Sequence, residues 1–174
     1  MMTSLVLTVI GPDKPGLVEL LSQTIADHGG NWLESGMSRL GGKFAGILIV
    51  SISSGNAEAL EKALAGLHEK GLKVTAERSE EAAAAASLQP IQLDLVGHDK
   101  PGIVREIAQA LAARHINVER LTTELTSGSM SGEELFRAQA SLLAPSDLNL
   151  DELQQALEAI ASDLMVDITL NGKA

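Results

Sequence analysis

Two hydrophobic periods alternate along this chain, and they do so in the same order twice. An apolar run from Leu5 to Ile10 is followed by Leu17, Leu20, Leu21 and Ile25, a spacing that gathers apolar side chains on one helical face. In the second half, Ile91, Leu93 and Leu95 alternate with Gln92 and Asp94, the period of a half-buried strand. Ile103, Ile107 and Leu111 then mark a second helical face. These helices are predicted over Pro15 to His28 and Pro101 to His115, with each proline in the first turn, where its missing N–H breaks no hydrogen bond. Gly29-Gly30 stops the first of them. A hairpin follows in each half. Asn31 to Leu40 and Lys43 to Ser53 flank Gly41-Gly42, a two-residue turn that accepts positive φ. Asn117 to Thr126 and Leu135 to Leu143 flank a longer Gly/Ser loop. A second helix is predicted over Asn56 to Glu69, with Leu60, Leu64 and Leu67 inward. Its counterpart runs from Leu150 to Ser162, with Leu153, Leu157 and Ile160 inward, and Asn149 with Glu152 has the spacing of a capping box. The strands Leu72 to Arg78 and Leu164 to Leu170 close the two halves.

The order is βαββαβ twice, so the expected fold class is α+β: two ferredoxin-like modules, each an antiparallel sheet with helices packed on one face. The duplication is also written in residues. Gly11-Pro-Asp-Lys-Pro-Gly-Leu-Val18 returns as Gly97-His-Asp-Lys-Pro-Gly-Ile-Val104. Gly11 maps to Gly97 and Asn31 to Asn117, an offset of 86 in both cases and without a gap. The expected modules are residues 1–79 and 91–174. Residues 80–90 form a linker whose five consecutive alanines favour a short helix. One strand is unusual. Phe44-Ala-Gly-Ile47-Leu48-Ile49-Val50 is apolar on both faces, unlike Phe136-Arg-Ala-Gln-Ala140. A strand of that kind is normally covered on both sides, so the outer sheet face of the first module is expected to be buried by a second chain or by the other half.

Composition narrows the chemistry. The net charge is −10, with Lys and Arg scattered, which excludes the basic face that nucleic acid requires. Aromatics are 2% of residues, so the cores must be aliphatic, and Trp32 and Phe44 are expected to pack rather than to form a stacking platform. Cysteine is absent, no run is long enough to span a bilayer, and Met1 to Ile10 lacks a secretory signature. A cytoplasmic location is expected. His28, His68, His98 and His115 have no metal-ligand spacing, and no nucleophile elbow or phosphate loop occurs. Neither a catalytic group, a metal nor a cofactor is expected.

The repeated loop is the one place where chemistry concentrates. It leaves a strand and opens a helix, whose first free N–H groups carry the positive end of the dipole and suit a small carboxylate. Gly11 and Gly16, like Gly97 and Gly102, let backbone come close to a ligand. Asp13 and Asp99 can accept from an ammonium group or cap the helix instead. A well-made strand-to-helix turn with no ligand explains the same residues.

The loop and its framework resemble the ACT domain, whose modules share this element order and a Gly-x-Asp-Arg/Lys-Pro-Gly-Leu/Ile signature followed by an Asn. The stretch Glu34 to Phe44 also resembles the hairpin of the glycine cleavage system transcriptional repressor family, themselves tandem ACT chains. The resemblance implies an amino-acid-binding regulator, with glycine a natural ligand, acting through contact with a protein such as a transcription factor and assembled as a homo-oligomer. It implies ligand sites between paired modules. Gly11, Asp13, Lys14, Pro15, Gly16 and Leu17 would face Asn117, while Gly97, Asp99, Lys100, Pro101, Gly102 and Ile103 would face Asn31. Lys14 and Lys100 replace a more frequent Arg, and His98 stands where the first copy has Pro12, so the two sites need not be equal. A regulatory subunit of an amino-acid-metabolism enzyme and a ligand-free pairing module are the alternatives.

Overall fold

A computed structural model describes residues 1–79, 87–127 and 133–172. The described residues form two compact units, one ending after the fourth strand and the other beginning at the fifth. The first holds β1 (Met2–Pro12), α1 (Leu17–Asp27), β2 (Asn31–Leu40), β3 (Lys43–Ser53), α2 (Ser54–Ala65) with a 3₁₀ turn (Gly66–Lys70), and β4 (Lys73–Ser79). The second holds β5 (Leu88–His98), α3 (Ile103–Ala112), β6 (Asn117–Ser127), β7 (Glu134–Pro145), α4 (Leu150–Leu164) and β8 (Val166–Gly172). Each sheet is antiparallel, with strand orders β2-β3-β1-β4 and β6-β7-β5-β8. The expected pair of ferredoxin-like α+β modules is therefore the observed architecture.

Alternation explains how each module closes. In β1, Leu5, Leu7 and Val9 are buried, and in β3, Leu48, Val50 and Ile52; they meet Leu17, Leu21 and Ile25 of α1 and Leu60 and Leu64 of α2 in one core. The second core joins Ile91, Leu93 and Leu95 to Ile103, Ile107 and Leu111 of α3 and to Leu153 and Leu157 of α4. Ala161 completes the buried face of α4, and Ile160 is only partly buried beside it. Trp32 packs against the first core as expected. No polar or charged side chain is buried among the described residues, so the cores rest on aliphatic packing.

Several boundaries differ from the sequence expectation, each for a local reason. Pro15 and Pro101 are not in the first helical turn. The residue after each, Gly16 (φ 93°, ψ −7°) and Gly102 (φ 90°, ψ 2°), is the left-handed N-cap. Those angles suit the third position of a type II turn, whose second position favours proline. The helices thus begin two residues later than predicted. The second helix of the first module ends at Ala65 and tightens into the 3₁₀ turn. Strand β5 begins at Leu88 and includes Pro90. Only β7 pairs with it there, since pairing to β8 starts at Ile91, so the proline sits where β5 is an edge strand and proline is tolerated. The alanine run expected to be helical lies outside the described residues.

The hairpin of the first module turns at Gly41 (φ 58°) and Gly42 (φ 77°), both left-handed as a type I′ turn requires. The first helix of each module ends on a left-handed residue, Gly29 in one and His115 in the other. Both β2 and β6 carry an irregularity in pairing at the same place in the repeat, between Trp32 and Glu34 and between Val118 and Arg120.

Candidate functional site

The repeated loop sits where the end of the sheet's second-from-edge strand meets a helix start. Gly11 is held tightly: a Cβ there would lie 2.9 Å from the Gly71 carbonyl oxygen and 3.3 Å from a Leu17 methyl. Gly97 is as crowded, against Val166 of β8. These glycines are therefore required by packing, whatever the loop binds. Gly16 is the opposite case, because nothing lies within 4 Å of a Cβ there and only its positive φ demands glycine.

The carbonyl of Gly16 accepts the first helical bond from Leu20 (2.9 Å), and that of Gly102 from Glu106 (3.0 Å). Neither N-cap has a side-chain hydrogen bond to the helix amides. Asp13 and Asp99 therefore do not cap, which removes one of the two roles open to them. Their backbone N–H groups instead donate to the hairpin side, Asp13 to Gly42 O (3.1 Å) and Asp99 to Glu134 O (3.4 Å). The carboxylate of Asp13 pairs with Arg39 at 3.5 Å. Two helix starts without side-chain caps thus stand beside loops pinned by backbone.

The surroundings of the two loops differ. The first borders an open cleft of about 450 Å³ whose walls include Asp13, Lys14, Gly16, Glu19, Arg39 and Phe44. Arg39 and Phe44 were not singled out as site residues by the sequence. Their pairing with each other across the hairpin, and that of Phe44 with Gly11, brings them to the loop. Phe44 is thus a wall of this cleft. In the second module the repeat places Leu125 where the first has Arg39. A narrow cavity of about 50 Å³ lies nearby between α3 and the sheet, lined only by apolar side chains such as Ile107, Leu121 and Phe136. At the loop itself, His98 Nδ1 lies 3.1 Å from a Glu133 carboxylate oxygen, where the first copy has Pro12. The first loop borders a polar cleft, whereas the cavity beside the second is apolar and charge is confined to the loop itself.

The two asparagines are exposed at strand entries. Asn31 pairs with Ser51, which pairs with Ser4, whereas the loop end of the same sheet is marked by Gly11 and Phe44. From Ser51 to Phe44 the strand runs about 24 Å at its usual rise. Asn117, opposite Leu143, is likewise far along β7 from Phe136 beside Gly97. Within a module, then, loop and Asn stand at opposite ends of the sheet, and only a second module can bring a loop and an Asn together. Asp13, Lys14, Pro15, Gly16 and Leu17 do cluster around one cleft. Among the described residues no cluster of His, Asp and Glu is arranged to hold a metal, and no helix is long and apolar enough to cross a membrane.

The sequence profiles of the ACT domain match residues 3–77 and residues 91–162. The glycine cleavage system transcriptional repressors of Escherichia coli (strain K12) and Shigella flexneri are each 23% identical over 171 residues, covering 96% of this chain and 88% of theirs. Among solved structures, an unknown protein from Galdieria sulphuraria is 29% identical with a TM-score of 0.85 over 100% of both chains. A candidate glycine cleavage system transcriptional repressor is 24% identical with a TM-score of 0.73, covering 99% of this chain and 98% of that one, and shares the fold.

Proposed function

Since this chain belongs to the ACT-domain family and carries one such domain in each half, we propose that it is a non-catalytic sensor of a small amino acid that regulates by protein contact. The observation that carries this reading is the repeated helix start. In both modules a glycine N-cap leaves the first amides without a side-chain partner, next to a loop pinned by backbone bonds. Such amides favour a carboxylate through both hydrogen bonding and the helix dipole. An ammonium group needs acceptors at the same time, and the loop carboxylate supplies one.

The complete site is composite. Gly11, Asp13, Lys14, Pro15, Gly16 and Leu17 act with Asn117, and Gly97, Asp99, Lys100, Pro101, Gly102 and Ile103 with Asn31. The separation of loop and Asn within a module supports this division of labour. An Asn side chain both donates and accepts, so it can read either end of a zwitterion. The unlike surroundings favour the first loop for a small polar ligand such as glycine, because it borders an open cleft with polar walls while the cavity beside the second loop is apolar.

Binding between modules favours one packing over another only by its differential affinity. A coupling of about 1–3 kcal/mol, or about 5- to 150-fold, is usual for such devices. The partner in this reading is a cytoplasmic transcription factor: the likeness to transcriptional repressors supports a role in transcription, and a net charge of −10 favours acting through another, DNA-binding protein. The test is calorimetric titration of the full chain with glycine, serine, alanine and larger amino acids, followed by capture of cytoplasmic proteins with and without the ligand found. Saturable binding of a small amino acid that changes capture of a DNA-binding regulator is the expected result. Binding of none of the amino acids would leave a ligand-free pairing module, and capture of an enzyme would indicate a regulatory subunit.

A further inference from the structure

The outward face of the first sheet is built unlike that of the second. Since Leu5, Leu7 and Val9 point into the core, Val6, Thr8 and Ile10 of β1 point away from it, beside Ile49, Ile47 and Ala45 of β3. Ile47 is 54% exposed and Ile10 43%. The matching outward positions of the second sheet are Gln92, Asp94 and Val96 on β5, and Ser141, Gln139 and Arg137 on β7. Four of those groups pair with one another: Gln139 donates to Asp94 at 3.0 Å and Ser141 to Gln92 at 3.1 Å. The second sheet face is polar across its central strands, whereas the first is aliphatic on β1 and β3 between polar flanks on β2 and β4.

We propose that the outward face of the first sheet is the surface on which two copies of this chain dimerise, sheet to sheet and with their strands antiparallel. Chemistry selects the occupant. An aliphatic face gains most from another aliphatic face, and the polar outward face of the second sheet offers none. Among the described sheet faces, the first sheet's own is the apolar one, and a two-fold axis presents it to itself.

Charge then selects the orientation. Thr8 lies between Ile47 and Thr75 at the middle of the patch. One step to one side, Val6 lies between Ile49 and Glu77; one step to the other, Ile10 lies between Ala45 and Lys73. An axis crossing the strands at Thr8 lays Glu77 against Lys73 of the partner subunit, and does so twice. It also stacks Ile10 on Val6 and Ile47 on Ile47 across the two-fold. An axis along the strands would instead bring Glu77 over the other copy's β2, at the level of Glu34 beside Ile49, setting like charges together. Packed sheets lie about 10 Å apart, a gap that Lys and Glu can bridge between them. The central strands have 11 residues. With 10 residues in β2 and 7 in β4, the face presents at most about 640 Å² per copy, or about 1,300 Å² in all, above the ~1,000 Å² that a specific interface needs.

The test is the mass of the full chain by sedimentation equilibrium. The wild-type chain is expected to be a dimer, and Ile47→Glu, which buries two charges across the axis, should raise the dimer dissociation constant by at least about 100-fold. Ile47→Thr keeps the β-branched shape that suits a strand and should weaken the dimer by a smaller factor, so a folding defect cannot be mistaken for the effect. Lys73→Glu should weaken it roughly tenfold, and adding Glu77→Lys should restore it. A monomeric wild type, or a dimer indifferent to Ile47→Glu and Ile47→Thr, would overturn the proposal. Failure of Glu77→Lys to rescue Lys73→Glu would overturn the antiparallel arrangement. None of these readouts requires an amino acid to bind.

Discussion

Replacing Gly16 by Ala separates backbone geometry from crowding more cleanly than any other change at the loop. Nothing lies within 4 Å of a Cβ at Gly16, so the new methyl meets no neighbour; what remains is the positive φ of 93°. Holding an L-residue in that region costs about 1–2 kcal/mol, partly offset by about 0.4–1 kcal/mol from the smaller entropy of an unfolded chain with Ala. A net loss of about 1 kcal/mol is expected. For a module of this size that is a fall of about 4–8 °C in its melting temperature. Trp32 is the single tryptophan of the chain and packs against the first core, so its fluorescence in a urea titration follows that module specifically. Gly66→Ala is the control. It also meets nothing within 4 Å, and its φ lies outside the strained range. That variant should be neutral or slightly stabilising. Equal effects of the two substitutions would refute the assignment of Gly16 to a left-handed turn position.

Other expectations follow from single features of the second module. His115 occupies at φ 58° the place that Gly29 fills in the first module, so His115→Gly should stabilise the second module by up to about 1 kcal/mol in denaturant titration followed by circular dichroism. Asn149 caps α4 by accepting from Asp151 N (2.9 Å) and Glu152 N (3.3 Å); Asn149→Ala should cost about 1 kcal/mol, while the Trp32 signal stays unmoved. Glu152 does not return the bond of a full capping box but accepts from Arg114 at 2.9 Å. The hydrogen bond from Arg114, aided by its charge, holds the Glu152 carboxyl below the usual carboxylate range. A lowered value stabilises the folded state above the unfolded carboxylate pKa of about 4.3 and is lost as pH falls through the folded value. Wild type should therefore exceed Glu152→Gln in stability at neutral pH, and the gap should close in acid; a gap independent of pH would refute the pairing.

The fold was legible because repetition and periodicity agreed. Leu17, Leu21 and Ile25 occupy the core side of α1 as their spacing demands, and the Gly41-Gly42 turn lies where its two glycines indicate. Proline misled where its neighbour governed: Pro15 alone suits a first helical turn, but Pro15-Gly16 makes a type II turn. Pro90 looked like a strand boundary and is tolerated because β8 does not reach it. At the candidate site, Asp13, Gly16 and their repeats were visible as a motif. Arg39 was not, because its nearness to Asp13 arises from hairpin register, which spans residues remote from the loop in sequence. The apolar outward face of the first sheet was visible in the Phe44–Val50 strand. Its contrast with the second sheet required the pairing register that aligns Thr8 with Ile47 and Asp94 with Gln139.

A double-mutant cycle on amino-acid affinity probes the composite pocket most directly. Calorimetry would compare wild type, Asp13→Ala, Asn117→Ala and the pair, with Asp13 and Asn31 as the control cycle. If the helix-opening loop of one module and the Asn of another hold the same ligand, Asp13 and Asn117 should couple by about 0.5–3 kcal/mol and the control pair should add independently. Losses that simply add for Asp13 and Asn117, around a ligand that still binds, would contradict the shared pocket.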